Sequence, residues 1–156
     1  MFKKIAIAAL IVAPVSAMAV DTLDFTIEAN VPTDRQYVRF LDQDFGTQTQ
    51  TMQWDGYQQQ LENISTTLEA FNNVGNIEAY LSSVASLSDG TNDIPLKVEI
   101  GNKTLGVGAP NKEEIVPAAN AGSAQTLNMV VSPNFSGTYT PGDYTGTVTM
   151  MFEHGI

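Results

Sequence analysis

The chain has 156 residues, with 7 Lys plus Arg against 17 Asp plus Glu, no Cys, one His and one Trp. A net charge of −10 argues against an electrostatic grip on nucleic acid or anionic lipid. The absence of Cys removes disulfides, thiolate zinc sites and cysteine nucleophiles, and the lone His154 leaves little for metal or acid–base chemistry.

Residues 1–19 read as a secretory signal: Lys3 and Lys4, an apolar run over 5–15, and the small-x-small site Ala17-Met18-Ala19. The apolar run is too short for the roughly 20 residues that span a bilayer. Cleavage leaves a chain beginning at Val20 with five basic and 17 acidic residues, a net charge of 5 − 17 = −12. An exported chain without disulfides must draw its stability from core burial or from contacts with other chains.

Immediately after the signal, Leu23, Phe25, Ile27, Ala29 and Val31 alternate with Asp24, Thr26, Glu28 and Asn30, and Pro32 stops the run. Chain ends are usually the least ordered part of a domain, so an apolar comb here calls for a groove to receive it. Two readings stay open on the alternation alone. The comb is either the first strand of its own sandwich or a strand given to a neighbouring copy. Strand addition supplies main-chain hydrogen bonds, and alternate side chains fill pockets and set the register. If each buried side chain contributes about 1.5–3 kcal/mol, five positions, one of them only Ala29, contribute on the order of 8 kcal/mol.

Further along, period two dominates. Residues 37–41, 64–71 and 77–83 read as strands, the last with a competing helical turn at Glu78-Ala79-Tyr80-Leu81. Ile94, Leu96, Val98 and Ile100 alternate with Pro95, Lys97 and Glu99, and Gly101-Asn102 suits a primed turn into Lys103-Thr104-Leu105. Leu127, Met129 and Val131 form another strand. After the turn-forming Pro141-Gly142-Asp143, Tyr144, Gly146, Val148, Met150 and Phe152 alternate with Thr145, Thr147, Thr149 and Met151. Seven or eight short strands at this spacing predict an all-β, immunoglobulin-like sandwich.

Several local patterns stop short of a chemical site. Asp42-Gln43-Asp44 opens like a calcium loop, but the twelfth position is Gln53 where Glu is needed. Glu113-Glu114 are neighbours on an extended segment and point apart, which suits a solvated pair. Trp54 reads as a core residue, with a sugar-binding face shared with Tyr57 as the lesser reading, and His154 reads as a surface histidine. No cofactor, metal site or catalytic residue is expected.

The two ends resemble a known family, the major pilins of the alternate chaperone–usher pathway (class 5, alpha-type fimbriae), typified by the colonisation factor antigens of enterotoxigenic bacteria. Phe25-Thr26-Ile27-Glu28-Ala29-Asn30-Val31-Pro32 is similar to that family's N-terminal donor strand. Ile94-Pro95-Leu96-Lys97-Val98-Glu99-Ile100-Gly101-Asn102 looks like its central hairpin, and Pro141-Gly142-Asp143-Tyr144-Thr145-Gly146-Thr147-Val148 like its closing strand. The similarity is weak over residues 42–63. The resemblance implies a signal at 1–19, a donor extension at 20–32 and, at 33–156, a sandwich lacking one strand that another subunit completes.

It further implies a structural major subunit of an adhesive fimbria, exported through the periplasm to the cell surface and supporting attachment to host surfaces. Its partners would be copies of itself, a periplasmic chaperone, an outer-membrane usher and a tip adhesin. Leu23, Phe25, Ile27, Ala29 and Val31 would be the donor positions. Tyr144, Gly146, Val148, Met150 and Phe152 would edge the acceptor groove and meet the chaperone. The alternatives are a minor or tip subunit and a self-complete periplasmic sandwich that binds a ligand.

Overall fold

In a computed structural model, the structure describes residue 29 and residues 35–156. The leader at 1–19 and the comb positions Leu23, Phe25, Ile27 and Val31 lie outside the described residues, while Ala29 is exposed.

Alternating sequence gives alternating burial throughout. The chain begins with β1 (Gln36–Phe40), a two-residue hairpin pair β2 (Trp54–Asp55) and β3 (Gln60–Leu61), then the long β4 (Ile64–Asn72). Along β4 the buried Leu68, Ala70 and Asn72 are separated by half-buried Glu69 and Phe71. Next come β5 (Ile77–Leu81), whose Ile77, Ala79 and Leu81 are buried, and the short β6 (Ser86–Ser88). The segment that could have turned helical is therefore a strand, because period-two burial between two neighbours outweighs its local helical propensity.

Strand β7 (Asp93–Ile100) buries Ile94, Leu96, Val98 and Ile100 and returns through Gly101-Asn102 into β8 (Lys103–Thr104). Gly101 takes φ +60° at the first central position of that turn, a backbone conformation glycine adopts without a Cβ clash. A 3-10 turn (Ala109–Asn111) leads to β9 (Glu113–Val116), a helical turn α1 (Ala118–Ala121), β10 (Gln125–Pro133) and finally β11 (Met150–His154).

The strands form two main sheets. One has six strands in the order β1-β4-β10-β7-β6, with β8 added beside β7; the other has three in the order β11-β5-β9. Every pairing between named strands is antiparallel. The inward faces of β4, β7 and β10 meet those of β5 and β9 in one apolar cluster built on Leu68, Ile77, Val98, Ile100, Val116 and Met129. This is an immunoglobulin-like sandwich.

Asn72 is the buried polar residue of the described core. Its Nδ2 donates to Asn76 O at 2.9 Å and to Gly155 O at 3.0 Å, and its Oδ1 accepts from the Val74 N–H at 3.0 Å. One satisfied amide thus ties the β4–β5 turn to the end of the chain, which offsets the cost of burying it. Lys112 does similar work across the second sheet, its Nζ lying 2.7 Å from Glu78 on β5 and 2.8 Å from Glu153 on β11.

Candidate functional site: a groove between two sheet edges

Among the described residues, β1 ends one sheet and β11 ends the other, and neither has a described strand on its outer flank. Between these flanks lies a hollow lined by Val38, Arg39 and Phe40 on one side and by Val148, Thr149, Met150 and Phe152 on the other. It shares Phe40, Val148 and Met150 with a larger groove of about 1060 Å³ that continues past Leu87, Ile94 and Met129 to Tyr144. Folded interiors hold few voids larger than a water molecule, so an opening of this size is a feature of the fold and no packing defect.

The burial pattern gives the groove its chemistry. Ten apolar residues pack against the core while staying only partly buried: Val38, Phe40, Phe45, Met52, Ile64, Leu87, Leu127, Val148, Met150 and Phe152. All except Leu127 line the groove. The unfinished part of the core and the groove are therefore the same surface. Its floor is made by fully inward residues such as Ile94, Leu96, Met129 and Val131.

The closing segment is less regular than its alternation suggests. Strand geometry begins only at Met150, and residues 146–149 lack it. Among the described residues, this stretch is held to the chain beside it by a reciprocal pair between Thr145 and Ser88 (2.8 and 3.0 Å) and by Ser82 N–H donating to Thr149 O at 3.0 Å. The physical reason is the neighbourhood: the chain at 82–88 meets this stretch only at these points, so no continuous ladder forms along it. Backbone groups along such an edge call for a partner.

Close packing sets the position of this wall. A Cβ on Gly146 would run into the Ser86 carbonyl oxygen and stand 3.2 Å from Leu87 Cα, so only glycine lets the segment lie this close to β6. Two residues earlier, the Tyr144 hydroxyl donates to Thr140 O at 3.0 Å, the reach-back bond of a tyrosine corner. Burial raises the Tyr144 phenol's pKa, and the nearby Asp89 carboxylate adds to the effect. Asp89 itself is held down at about 2, chiefly by hydrogen bonds from the Asn92 side chain and from the Asn92 and Thr91 backbone N–H groups. The turn carrying it supports the start of the closing segment.

Of the residues singled out in the sequence, Tyr144, Gly146, Val148 and Met150 line the larger groove, and Phe152 lines the hollow beside β1. The opposite wall, Val38 and Phe40 of β1 with Phe45 and Met52 of the loop after it, was not apparent from the sequence. The alternation of Val38 and Phe40 marks them as inward, but nothing local shows that their strand ends its sheet among the described residues.

Two readings are corrected. Trp54 is not core: it is 51 % exposed and meets Tyr139 edge-on, with ring centroids 5.4 Å apart. Tyr139 in turn meets Phe135 at 5.0 Å, and Trp54 and Tyr139 both line one end of the groove. The hairpin bearing Trp54 is only two residues long on each side and belongs to neither main sheet, so it has no inward face to bury. Nor is His154 a freely exposed surface histidine, since it is half-buried, its Nδ1 is buried without a hydrogen-bond partner among the described residues, and burial lowers its pKa. Glu113 and Glu114 do point apart, Glu113 to Lys103 at 3.3 Å and Glu114 to Asn76 Nδ2 at 3.0 Å. In the acidic loop, Asp42 Oδ1 is occupied by the Asp44 N–H at 3.0 Å.

Comparison with known proteins bears on the fold and the family. The chain superposes on the CooA pilin subunit from enterotoxigenic Escherichia coli with a TM-score of 0.58 at 17% sequence identity, covering 74% of this chain and 86% of that one. Among curated protein sequences there is no significant match. The family model for the CS1 type fimbrial major subunit matches residues 22–153. The chain therefore belongs to the CS1 type fimbrial major subunits, structural pilin components of a cell-surface fimbria rather than enzymes.

Proposed function

We propose that this subunit builds an adhesive fimbria by strand donation, residues 20–32 of one copy entering the groove of the next. In this reading the subunit is exported behind its 1–19 signal and held in the periplasm by a chaperone that occupies the same groove. An outer-membrane usher then exchanges that occupant for a donor segment, and the filament supports a tip adhesin at the host surface.

The observation that carries the reading is the apolar groove between β1 and the closing segment, the end strands of the two sheets among the described residues. An occupant must be extended, to pair with the backbone on both sides, and apolar on one face, to finish the core. The comb at Leu23, Phe25, Ile27, Ala29 and Val31 has that pattern, and its nine residues extend over about 30 Å.

Filament assembly by Ile27→Asp tests the proposal. A carboxylate carried into an apolar site without a partner costs several kcal/mol, so export should continue while filaments fail to form. Deleting residues 20–31 should have the same effect and leave a subunit still captured by its chaperone. Normal filaments from either variant, seen by electron microscopy, would refute strand donation.

A further inference from the structure

The mature chain is sparing with positive charge, and its placement is uneven. Five basic residues follow the leader: Arg35, Arg39, Lys97, Lys103 and Lys112. Each lysine is committed within the described fold, Lys97 to Glu99 at 3.0 Å, Lys103 to Glu113 at 3.3 Å, and Lys112 to both Glu78 and Glu153. The two arginines stand together at the edge of the groove, Arg35 immediately before β1 and Arg39 within it.

On β1, Val38 and Phe40 turn inward to the core. Alternation puts Arg35, Tyr37 and Arg39 on the opposite, outer face. Arg39 bonds Glu69 Oε1 through Nε at 3.0 Å and Nη2 at 2.7 Å, and its side chain stays 62% exposed. A guanidinium has five N–H donors, so further donors remain for a second carboxylate. Arg35 lies over the Phe71 ring at 5.5 Å and forms no ion pair among the described residues. Stacking on the Phe71 and Tyr37 rings, themselves 5.6 Å apart, holds both guanidinium groups along the outer face of the strand.

The donor segment carries the matching pattern. With its apolar comb turned to the core, its outward positions are Asp24, Thr26, Glu28 and Asn30. Asp24 and Glu28 are four residues apart, as are Arg35 and Arg39. On adjacent strands both pairs span about 13 Å. A donor lying beside β1 thus presents two carboxylates, on the same outer face and at the same spacing, to two arginines.

Resting on the strand-donation reading, we infer that Arg35 and Arg39 are register-setting residues: they pair across the subunit interface with Asp24 and Glu28 of the incoming copy's donor segment. The apolar comb alone repeats every two residues, so a two-residue slip keeps its face inward and is opposed only by differences in side-chain size. The charge pairs repeat every four, and a slip of two places each carboxylate away from its arginine. The comb supplies the burial and the charges select one register.

The test is a set of charge reversals in the full-length chain, exported and assembled by its own machinery, with the release of subunits from purified filaments as the readout. Asp24→Lys, Glu28→Lys, Arg35→Glu and Arg39→Glu are made singly and in the four donor–acceptor combinations. Each single reversal should speed release roughly 5–30-fold, as expected for a loss of one or two kcal/mol. Each donor lysine should be brought back to within about twofold of the parent by one of the two acceptor glutamates. In 1 M salt, where charges are screened beyond about 3 Å, the single effects should shrink.

Because Arg39→Glu also sets two carboxylates side by side with Glu69, the neutral set Arg35→Gln, Arg39→Gln, Asp24→Asn and Glu28→Gln is measured in parallel. There, each donor change should cost little once its arginine partner is gone. Strictly additive losses in both sets, or single reversals without effect, would overturn the inference. Ile27→Asp separates the two failures. If it assembles normally, strand donation itself fails; if it blocks assembly while no charge pair couples, only the register assignment fails.

Discussion

Adding a single methyl group at Gly146 would drive the Cβ into the Ser86 carbonyl and against Leu87 Cα, both of them backbone and unable to swing aside. The closing segment would have to move away from β6, breaking the Thr145–Ser88 pair and narrowing the groove from its far wall. Gly146→Ala is therefore expected to cost about 1–3 kcal/mol, the usual range for forced overpacking, read as a lower denaturant midpoint. An unchanged midpoint would show that the wall yields freely. His154 is the other residue whose environment sets a measurable property. Burial lowers its folded pKa, so between that value and the unfolded value near 6.5 the unfolded chain binds a proton that the folded chain does not. Stability then rises with pH across that window and declines as pH falls below about 6.5. Denaturant midpoints measured from pH 7.5 to 5.5 should show this decline, and His154→Gln should flatten it; a parent profile already flat over the range would contradict the lowered His154 pKa.

At the scale of elements, the strands that could be read from sequence are those whose two faces differ. β4, β5, β7 and β10 each bury alternate apolar residues, and the alternation at 64–71, 77–83, 94–100 and 127–131 locates all four to within a few residues. The elements that escaped are short or polar: the Trp54–Asp55 and Gln60–Leu61 hairpin, Ser86–Ser88 and Glu113–Val116. Two to four residues are too few to display a period, and these strands exist because a neighbour supplies the pairing. The groove shows the same division. The inward positions of its closing wall were legible because Tyr144, Gly146, Val148, Met150 and Phe152 alternate, whereas the wall made by Val38 and Phe40 was not. An open flank is a property of sheet order, which no local pattern encodes. Trp54 failed for a related reason: an aromatic residue in a sandwich is usually buried, but this one sits on a hairpin outside both main sheets.

For the whole molecule, strand donation would make stability a shared property of two chains. Among the described residues, the partly buried shell of Val38, Phe40, Met52, Leu87, Val148 and Met150 leaves the core open along one line, and any strand that closes it binds the folded state but not the unfolded one. Such a ligand stabilises by mass action: at a hundredfold excess over its Kd the gain is about 2.7 kcal/mol, growing with the logarithm of concentration. For a domain of this size that corresponds to a rise in Tm of roughly 8–11 °C. A synthetic peptide of residues 20–32, added to a chain from which 20–31 have been deleted, should therefore raise Tm in proportion to the logarithm of its concentration. It should also suppress the aggregation that an exposed apolar edge promotes. The same peptide carrying Ile27→Asp should do neither, because its carboxylate would enter the apolar groove unpaired. If the parent peptide leaves Tm unmoved at every concentration while the truncated chain is folded, the groove does not accept this segment. The missing strand would then have to come from elsewhere. A Tm that climbs with the parent peptide and stays level with the variant would establish that the segment at 20–32 is the element that completes this core.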